Sequence, residues 1–189
     1  RQSANIKLAY DRGYLLAGEL KSVGFNLNYA PVADVNSNPA NPIIGDRAFS
    51  DNPDEVGPWC VEFLQGMQAR GVAGCIKHFP GHGDTAQDSH LTLPTVDKDA
   101  AALWATELKP FEYIIKNYEV PFVMTAHVKF TRLDPDLPAT LSPVILTDIL
   151  RNQMQYQGII LSDDFEMKGI AAYYDIPQAV EQFFRAGGD

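Results

Sequence analysis

The chain has 189 residues, 46% of them hydrophobic, and its 24 acidic residues outnumber 15 basic residues to give a formal net charge of −9. This length and composition predict one globular domain with its own core rather than a disordered chain or two full domains. The acidic balance argues against nucleic acid and anionic lipid as partners, because both require a basic face. No apolar run has the length of about 20 residues that a membrane span needs.

The first third of the chain has the pattern helix, strand, helix. Apolar residues recur at helical spacing over residues 3–23, and Gly24 follows as a C-cap. Residues 25–35 combine alternation with an apolar centre, which predicts a strand that runs into a long polar loop. A second helix is predicted over residues 53–70, with Asn52 as its N-cap.

Three further pairs of strand and helix follow. Apolar segments predict strands over residues 72–79, 120–128 and 158–165, and the segments after them predict helices over residues 98–117, 143–155 and 177–186. Strands that alternate with helices in this way form a parallel sheet covered by helices. The sequence therefore predicts an α/β fold.

Two α/β architectures share this alternation. A doubly wound sheet usually carries a glycine-rich phosphate-binding turn after its first strand, and no predicted strand is followed by one. A (β/α)8 TIM-type barrel instead has its active site at the carboxyl ends of several strands. We therefore predict that residues 1–189 supply about four βα units of one TIM-barrel catalytic domain, with further strands expected before residue 1 and after residue 189.

The cysteines and tryptophans have the patterns of packing residues. Cys60 and Cys75 lack the spacing of a zinc or redox site, so we expect two buried free thiols, which agrees with a reducing compartment. Trp59 and Trp104 fall in helical patterns, and we expect them to pack rather than to stack on a ligand.

Titratable side chains stand at the end of every predicted strand. They are Asp34, Lys77, His78, His127, Asp163 and Asp164. Because the carboxyl ends of parallel barrel strands meet on one side, we expect these side chains to line one mouth. We expect His127 to support a neighbouring group rather than to contact a substrate.

The segment KHFPGHGDTAQDSH, residues 77–90, concentrates histidine and aspartate on a glycine-rich loop. In an extended loop Asp88 and His90 point to the same side, where the carboxylate can orient the imidazole and raise its basicity. The glycines would let the loop move when substrate binds. A metal site is the alternative, since the loop holds five residues of ligand type: His78, His82, Asp84, Asp88 and His90. It is less favoured, because Pro80 and Gly81 interrupt any helical zinc motif.

The segment LSDDF ends an apolar strand in two carboxylates. We expect Asp164 to cap the next helix. Asp163 would then point into the mouth, where a carboxylate can act as a nucleophile or stabilise a cation. An acid/base group on another loop would complete the arrangement of glycoside hydrolysis. Arg47, Lys77 and His78 offer the hydrogen-bond donors that a sugar needs. The alternatives are a surface salt bridge for Arg47 and strand-end ion pairs for Lys77 and His78.

Four segments carry a resemblance to a known family: NLNYAPVADVNSNPANPIIGDRAFS, IKHFPGHGDTAQDSHLTLP, VMTAHV and LSDDFEMKGI. In this order they resemble the family three glycoside hydrolases, in the β-N-acetylglucosaminidase branch. The resemblance implies a retaining exo-enzyme that removes terminal β-linked N-acetylglucosamine without a metal or cofactor. The implied substrates are peptidoglycan muropeptides or chito-oligosaccharides. The implied setting is muropeptide recycling in the bacterial cytoplasm, with a secreted or periplasmic protein as the alternative if a signal precedes residue 1.

The resemblance also implies roles for individual residues. Asp163, after the serine of SDD, matches the nucleophile, and His90 with Asp88, in DSH, matches the acid/base pair. The positions that bind the terminal sugar are matched by Arg47, Lys77 and His78. The family's D-x-E-G-G-R motif has no match in the chain and is expected before residue 1. A β-glucosidase or β-xylosidase of the same family and a non-catalytic sugar-binding barrel stay open as alternatives.

Overall fold

The computed structural model of the protein describes residues 3–189. Helix α1 (Ser3–Ser22) and helix α2 (Pro53–Gln68) match the first two predicted helices. Gly24, with φ +93°, ends α1, where the Phe25 N–H donates to the Leu20 carbonyl at 3.0 Å. Asn52 caps α2 as predicted, because its side chain accepts the Asp54 N–H at 3.1 Å.

The main sheet has four parallel strands. The strands in chain order are β1 (Leu27–Asn28), β2 (Ala73–Phe79), β3 (Thr95–Val96), β4 (Phe122–Thr125), β5 (Lys129–Phe130) and β6 (Ile159–Leu161). Strands β1, β2, β4 and β6 lie side by side in that order, and β3 pairs in parallel with β5. Each strand of the main sheet lies beside the one before it, without the reversal of order that defines a doubly wound sheet. This arrangement favours the barrel over the doubly wound alternative.

Helices cover the sheet in the same order as the strands. The remaining helices are α3 (Ala100–Ala105), α4 (Lys109–Asn117), a π-helix (Val144–Gln153), α5 (Lys168–Ala171) and α6 (Ile176–Arg185). Helix α2 packs against both α1 and α4. A Cβ atom at Gly13 or at Gly66 would overlap a backbone carbonyl of the facing helix, so α1 and α2 can approach this closely only because both positions are glycine. None of the helices in residues 3–189 is long and apolar enough to cross a membrane.

Apolar side chains of the strands and helices form the core. Ile76, Val123 and Ile160 come from three adjacent strands and are fully buried among residues of the surrounding helices. Cys60 and Cys75 are buried free thiols, as predicted, and burial raises the pKa of Cys75 to about 12. The predicted packing roles of the two tryptophans are confirmed, since both lie against core residues.

Several predicted elements differ in the structure. The strand predicted over residues 25–35 is regular only in β1, and one bridge joins Val32 to Lys77 farther along. Pro31, which has no N–H to donate, interrupts the ladder between them. The later strands are confirmed but shorter, and β3, β5 and α5 were not predicted because segments of two to four residues have no detectable period.

Two predicted helices wind differently. The helix predicted over residues 98–117 is two helices, because Thr106 has non-helical angles (φ −127°, ψ −78°) and Pro110 must stand in the first turn of α4. The break leaves Glu107 between the helices, where it is fully buried. The helix predicted over residues 143–155 is the π-helix, in which the Met154 N–H donates to the carbonyl of Ile149, five residues earlier.

Candidate active site

Asp34, after β1, is the buried centre of the site. Its carboxylate accepts Nδ1–H of His78 at 2.7 Å and the backbone N–H of His82 at 2.6 Å. Burial raises the pKa of Asp34, but the charges and hydrogen bonds of His78 and His82 outweigh this effect and hold the pKa below its ordinary value. Asp34 is therefore ionised and fixes the ring of His78. The sequence marked Asp34 as a strand-end residue but gave it no role.

Lys77 and Arg47, two of the predicted sugar-binding residues, line one cavity of about 380 Å³. Burial lowers the pKa of Lys77, the Arg47 charge lowers it further, and the Asp163 charge opposes both. Arg47 lies on the 3-10 turn Gly45–Arg47 and donates to the carbonyl of Ile43 at 3.2 Å. Neither Lys77 nor Arg47 forms an ion pair with any residue that the structure describes. Their charged groups are therefore available to a ligand.

Asp163 follows β6 at the same edge of the sheet. Its negative charge opposes the lowering of the pKa that burial causes at Lys77, His82 and His127, so the carboxylate lies within electrostatic reach of all three. Its Oδ1 atom accepts the backbone N–H of Asp164 at 2.9 Å. The structure thus brings the predicted nucleophile within electrostatic reach of Lys77, one of the predicted sugar-binding residues.

The predicted helix-capping role of Asp164 is wrong. Its side chain accepts the N–H of Glu166 at 2.8 Å, and its carbonyl accepts the N–H of Met167 at 3.1 Å. Asp164 therefore closes a turn, and α5 begins only after Met167, which provides no side-chain cap. The chain makes this turn before the helix because the segment must first leave the strand direction.

His127 holds the backbone beside Asp163. Its ring is fully buried, and Nε2 lies 2.9 Å from the carbonyl oxygen of Asp164. A carbonyl only accepts, so Nε2 carries the hydrogen of the neutral ring, and Nδ1 lies 2.8 Å from the Thr140 hydroxyl, which also donates to the Ala126 carbonyl at 3.0 Å. Burial lowers the pKa of His127, which keeps this neutral form. These contacts agree with the predicted supporting role.

Asp88 and His90 form a pair on the loop after β2. Nδ1 of His90 lies 2.7 Å from Oδ1 of Asp88, and the His90 side chain is 59% exposed. Burial raises the pKa of Asp88, but the backbone and side-chain hydrogen bonds of His90, with its charge, together outweigh this effect and lower the pKa. Within the described part of the chain, no hydrogen bond or ion pair joins His90 to Asp163. The pair therefore stands at the rim of the site with Nε2 of His90 unengaged.

The loops after β1 and β2 are joined by Asn41. Its side-chain amide donates to the carbonyls of His82 and Gly83 at 2.8 and 3.1 Å, and to the Thr85 hydroxyl at 3.2 Å. Its side-chain oxygen accepts the backbone N–H groups of Ile43 and Ile44, in the turn that leads to Arg47. The sequence did not single out Asn41, because its partners lie about 40 residues away in the chain.

A second junction lies behind the same loops at Glu107. Oε1 of this fully buried carboxylate accepts from Lys98 Nζ at 3.0 Å and from the Ser37 hydroxyl at 3.1 Å, while Oε2 has no hydrogen-bond partner among residues 3–189. Lys98 also lies 3.1 Å from Asp84. Burial lowers the pKa of Lys98, but Glu107 and Asp84 outweigh it and raise the pKa. The only sequence signal for this junction is an acidic residue inside an apolar helical pattern.

The five candidate metal ligands do not gather. No three His, Cys, Asp or Glu side chains of the described residues converge as they would around a metal ion. Asp34 binds Nδ1 of His78, and both ring nitrogens of His82 have hydroxyl partners. His90 is engaged with Asp88, and Asp84 with Lys98.

A larger cavity of about 590 Å³ lies at the opposite end of the sheet. It is lined by residues that precede β2, β4 and β6, such as Gly71, Glu119 and Gln157. None of the predicted site residues borders it. Since active sites of parallel barrels lie at the carboxyl ends of the strands, we place the candidate site at the Asp34 end.

Comparisons with known proteins agree with this geometry. The chain is 41% identical over 182 residues to a protein named beta-hexosaminidase A of Pseudoalteromonas piscicida, which covers 90% of this chain and 30% of that protein. A glycoside hydrolase family 3 β-N-acetylglucosaminidase of Paenibacillus sp. FPU-7 superposes with a TM-score of 0.95 at 41% identity, over 97% of this chain and 35% of that one. NagZ of Neisseria gonorrhoeae, in complex with N-trifluoroacetyl-D-glucosamine, superposes with a TM-score of 0.88 at 36% identity, over 99% of this chain and 53% of that one.

The chain thus spans between about a third and about half the length of these relatives. The family model described as the glycosyl hydrolase family 3 N terminal domain matches residues 1–189, the whole chain. The parallel sheet and its covering helices are the TIM-barrel-like α/β fold of that domain. The resemblance noted in the sequence is therefore confirmed, and the chain belongs to glycosyl hydrolase family 3.

Proposed function

We propose that the protein is a retaining β-N-acetylglucosaminidase that hydrolyses terminal β-linked N-acetylglucosamine. The observation that carries the proposal is the Asp88–His90 pair at 2.7 Å, on a loop next to the edge that holds Asp163, Lys77 and His78. Most retaining glycosidases use two carboxylates. A histidine paired with an aspartate replaces one of them in the branch that this chain resembles.

His90 serves as the acid and then as the base. Asp88 accepts Nδ1–H of His90, so that Nε2 is the atom that exchanges a proton with the substrate. In the first step Asp163 attacks the anomeric carbon, the bond to the leaving-group oxygen breaks, and that oxygen takes the proton from Nε2. In the second step Nε2 takes a proton from water, the water oxygen bonds to the anomeric carbon, and the Asp163 carboxylate leaves.

Arg47, Lys77 and His78 bind the terminal sugar. Lys77 and Arg47 border the same cavity without ion-pair partners among the described residues, so their donors can meet hydroxyl or acyl oxygens of a sugar. Nδ1 of His78 is held by Asp34, which leaves Nε2 for the ligand.

We propose N-acetylglucosamine-containing peptidoglycan fragments as the natural substrate and the cytoplasm as the setting. The terminal sugar in this proposal is supported by the structural relative NagZ, which was solved with a derivative of glucosamine. Chito-oligosaccharides carry the same terminal sugar and are the second candidate substrate.

The test compares two p-nitrophenyl glycosides, the N-acetyl-β-glucosaminide and the β-glucoside, with the full-length protein and its Asp163→Ala variant. We expect turnover of the acetamido sugar alone, and a loss on the order of 10³-fold or more in the variant. Preference for the glucoside would favour a β-glucosidase of the same family. Tight binding of N-acetylglucosamine without turnover of either glycoside would favour a non-catalytic sugar-binding protein.

A further inference from the structure

Ser89, between the two residues of the acid/base pair, is the point at which their loop is held. Its hydroxyl lies 2.9 Å from Nε2 of His82, and its carbonyl accepts the N–H of Gly169 at 2.9 Å. Ser89 is 2% exposed, in contrast to the open His90. The Asp88 carbonyl accepts the N–H groups of Leu91 and Thr92, both at 3.0 Å, so these residues form a turn and not the extended segment that the sequence predicted. In this turn Ser89 faces inward, while Asp88 and His90 meet on its outer side.

The hydrogen bonds around His82 determine the direction of its contact with Ser89. The Thr85 hydroxyl donates to the His82 carbonyl at 3.0 Å and therefore accepts Nδ1–H of the same histidine at 2.8 Å. With the hydrogen on Nδ1, Nε2 of the neutral ring is an acceptor, and the Ser89 hydroxyl donates to it. Burial lowers the pKa of His82, which agrees with a neutral ring.

His82 is also joined to the sugar-binding end of the site. Its backbone N–H donates to Oδ1 of Asp34, whose other oxygen holds the ring of His78. The groups from His78 through Asp34 and His82 to Ser89 form one buried hydrogen-bonded chain. This chain connects the residue that would grip the sugar to the middle of the acid/base pair.

We propose that His82 and Ser89 are positioning residues that set the place of His90 relative to a sugar bound at His78. Neither side chain needs to touch the substrate. They act by holding the backbone of the loop at Ser89, so that Nε2 of His90 faces the leaving-group oxygen. This inference rests on the proposed function, because it assigns the pair the role of acid and base.

A second contact of Ser89 ties the loop to the segment after the nucleophile. The backbone of α5 approaches so closely that a Cβ atom at Gly169 would lie 2.8 Å from the Ser89 carbonyl and 3.2 Å from that of Thr92. A side chain at this position must push the loop outward. Gly169→Ala therefore displaces the loop without changing His82 or Ser89.

The experiment measures how strongly each variant depends on the leaving group. A 2,4-dinitrophenyl glycoside departs with little help from an acid, whereas an unsubstituted phenyl glycoside requires the proton of His90. We would measure kcat/KM for both N-acetyl-β-glucosaminides, because this constant reports formation of the glycosyl-enzyme. The proteins are the full-length wild type and the variants Ser89→Ala, Ser89→Thr, Gly169→Ala and Ser22→Ala, the last of which removes an exposed hydroxyl far from the site.

We expect Ser89→Ala to lose about tenfold or more on the phenyl glycoside and at most about threefold on the dinitrophenyl glycoside. Ser89→Thr, which keeps the hydroxyl, should recover part of the loss, and Ser22→Ala should match the wild type. Equal losses on the two substrates in Ser89→Ala would overturn the proposal, because a merely structural defect lowers both rates alike.

If Ser89→Ala does not fold, Gly169→Ala decides by the same criterion. A selective loss on the phenyl glycoside supports the positioning role, and equal losses overturn it. Wild-type protein that cleaves neither N-acetylglucosaminide would contradict the proposed function itself, and that result is distinct from equal losses in the variants.

Discussion

Oδ1 of Asp88 accepts both the backbone N–H and the ring Nδ1–H of His90, at 2.8 and 2.7 Å. Both bonds are made within three consecutive residues and need no other part of the protein. The proposed acid/base pair is therefore assembled without substrate. Its orientation is a local property, whereas its position depends on the contacts of the loop.

The first prediction is that Asp88 and His90 act as one functional unit. We expect His90→Ala to lower kcat/KM for a phenyl N-acetyl-β-glucosaminide by about 10²- to 10⁴-fold, and Asp88→Ala to lower it less. Because Asp88 acts only through His90, the double variant should be no worse than His90→Ala. Steady-state kinetics of the three variants test this, and additive losses in the double variant would show that Asp88 has a separate role.

The second prediction concerns His127, which donates to the carbonyl of Asp164. His127→Phe removes this donor and should lower kcat by about 10- to 100-fold, since the Asp163 backbone is no longer held, while KM changes little. His127→Gln can donate to the same carbonyl and should recover part of the activity. A change confined to KM would instead indicate direct contact with the substrate.

The third prediction compares two lysines. Lys98→Met leaves the buried Glu107 carboxylate with Ser37 as its remaining donor and should lower the free energy of unfolding by about 3 kcal/mol. Lys116 pairs with Glu112 on the helix surface, so Lys116→Met should change the free energy of unfolding by about 0.5 kcal/mol or less. Urea unfolding of both variants provides the measurement, and similar losses in the two would contradict a special role for Glu107.

The fourth prediction concerns Asp34 and pH. Asp34→Asn places an amide where three N–H groups point at a carboxylate, and should cost about 2 to 4 kcal/mol of stability at neutral pH. The pKa of Asp34 is lower in the folded protein than its ordinary value of 3.8, so the unfolded chain binds the proton first as pH falls.

The contribution of Asp34 to the free energy of unfolding is therefore complete at pH values above its ordinary pKa of 3.8. It is lost as the pH falls from there toward the pKa of Asp34 in the folded protein. Urea unfolding of the wild type should show this decline, and the Asp34→Asn variant should show a smaller one. Parallel pH dependences in the two proteins would mean that Asp34 does not titrate differently on folding.

The sequence predicts the parts of the fold that depend on local pattern. Alternating strands and helices follow from apolar periodicity. Asp88 meets His90 because the two are only two residues apart, although they lie in a turn and not in the predicted extended segment. Strand-end residues such as Lys77 and Asp163 meet because parallel strands share one edge. These inferences need no knowledge of which distant segments touch.

What the sequence could not predict depends on distant contacts. Asn41 and Glu107 have partners that adjacent residues do not reveal, and His82 gave a signal only as a candidate metal ligand. The buried residues of the π-helix, Ile145, Leu146, Ile149 and Leu150, stand at a spacing that also fits an α-helix, so periodicity does not separate the two. Asp164 was assigned to the wrong partner because a turn and a helix start have the same local preference for aspartate.

The bridge that Asn41 makes between the loops after β1 and β2 has a consequence for engineering. Arg47 belongs to one loop and the proposed acid/base pair to the other, and the side-chain amide of Asn41 joins the two loops at Ile43 and His82. A graft that replaces only one loop with that of a homologue would leave the amide facing a foreign backbone. Recombination aimed at new sugar specificity should therefore transplant residues 36–50 and 80–98 as a single cassette.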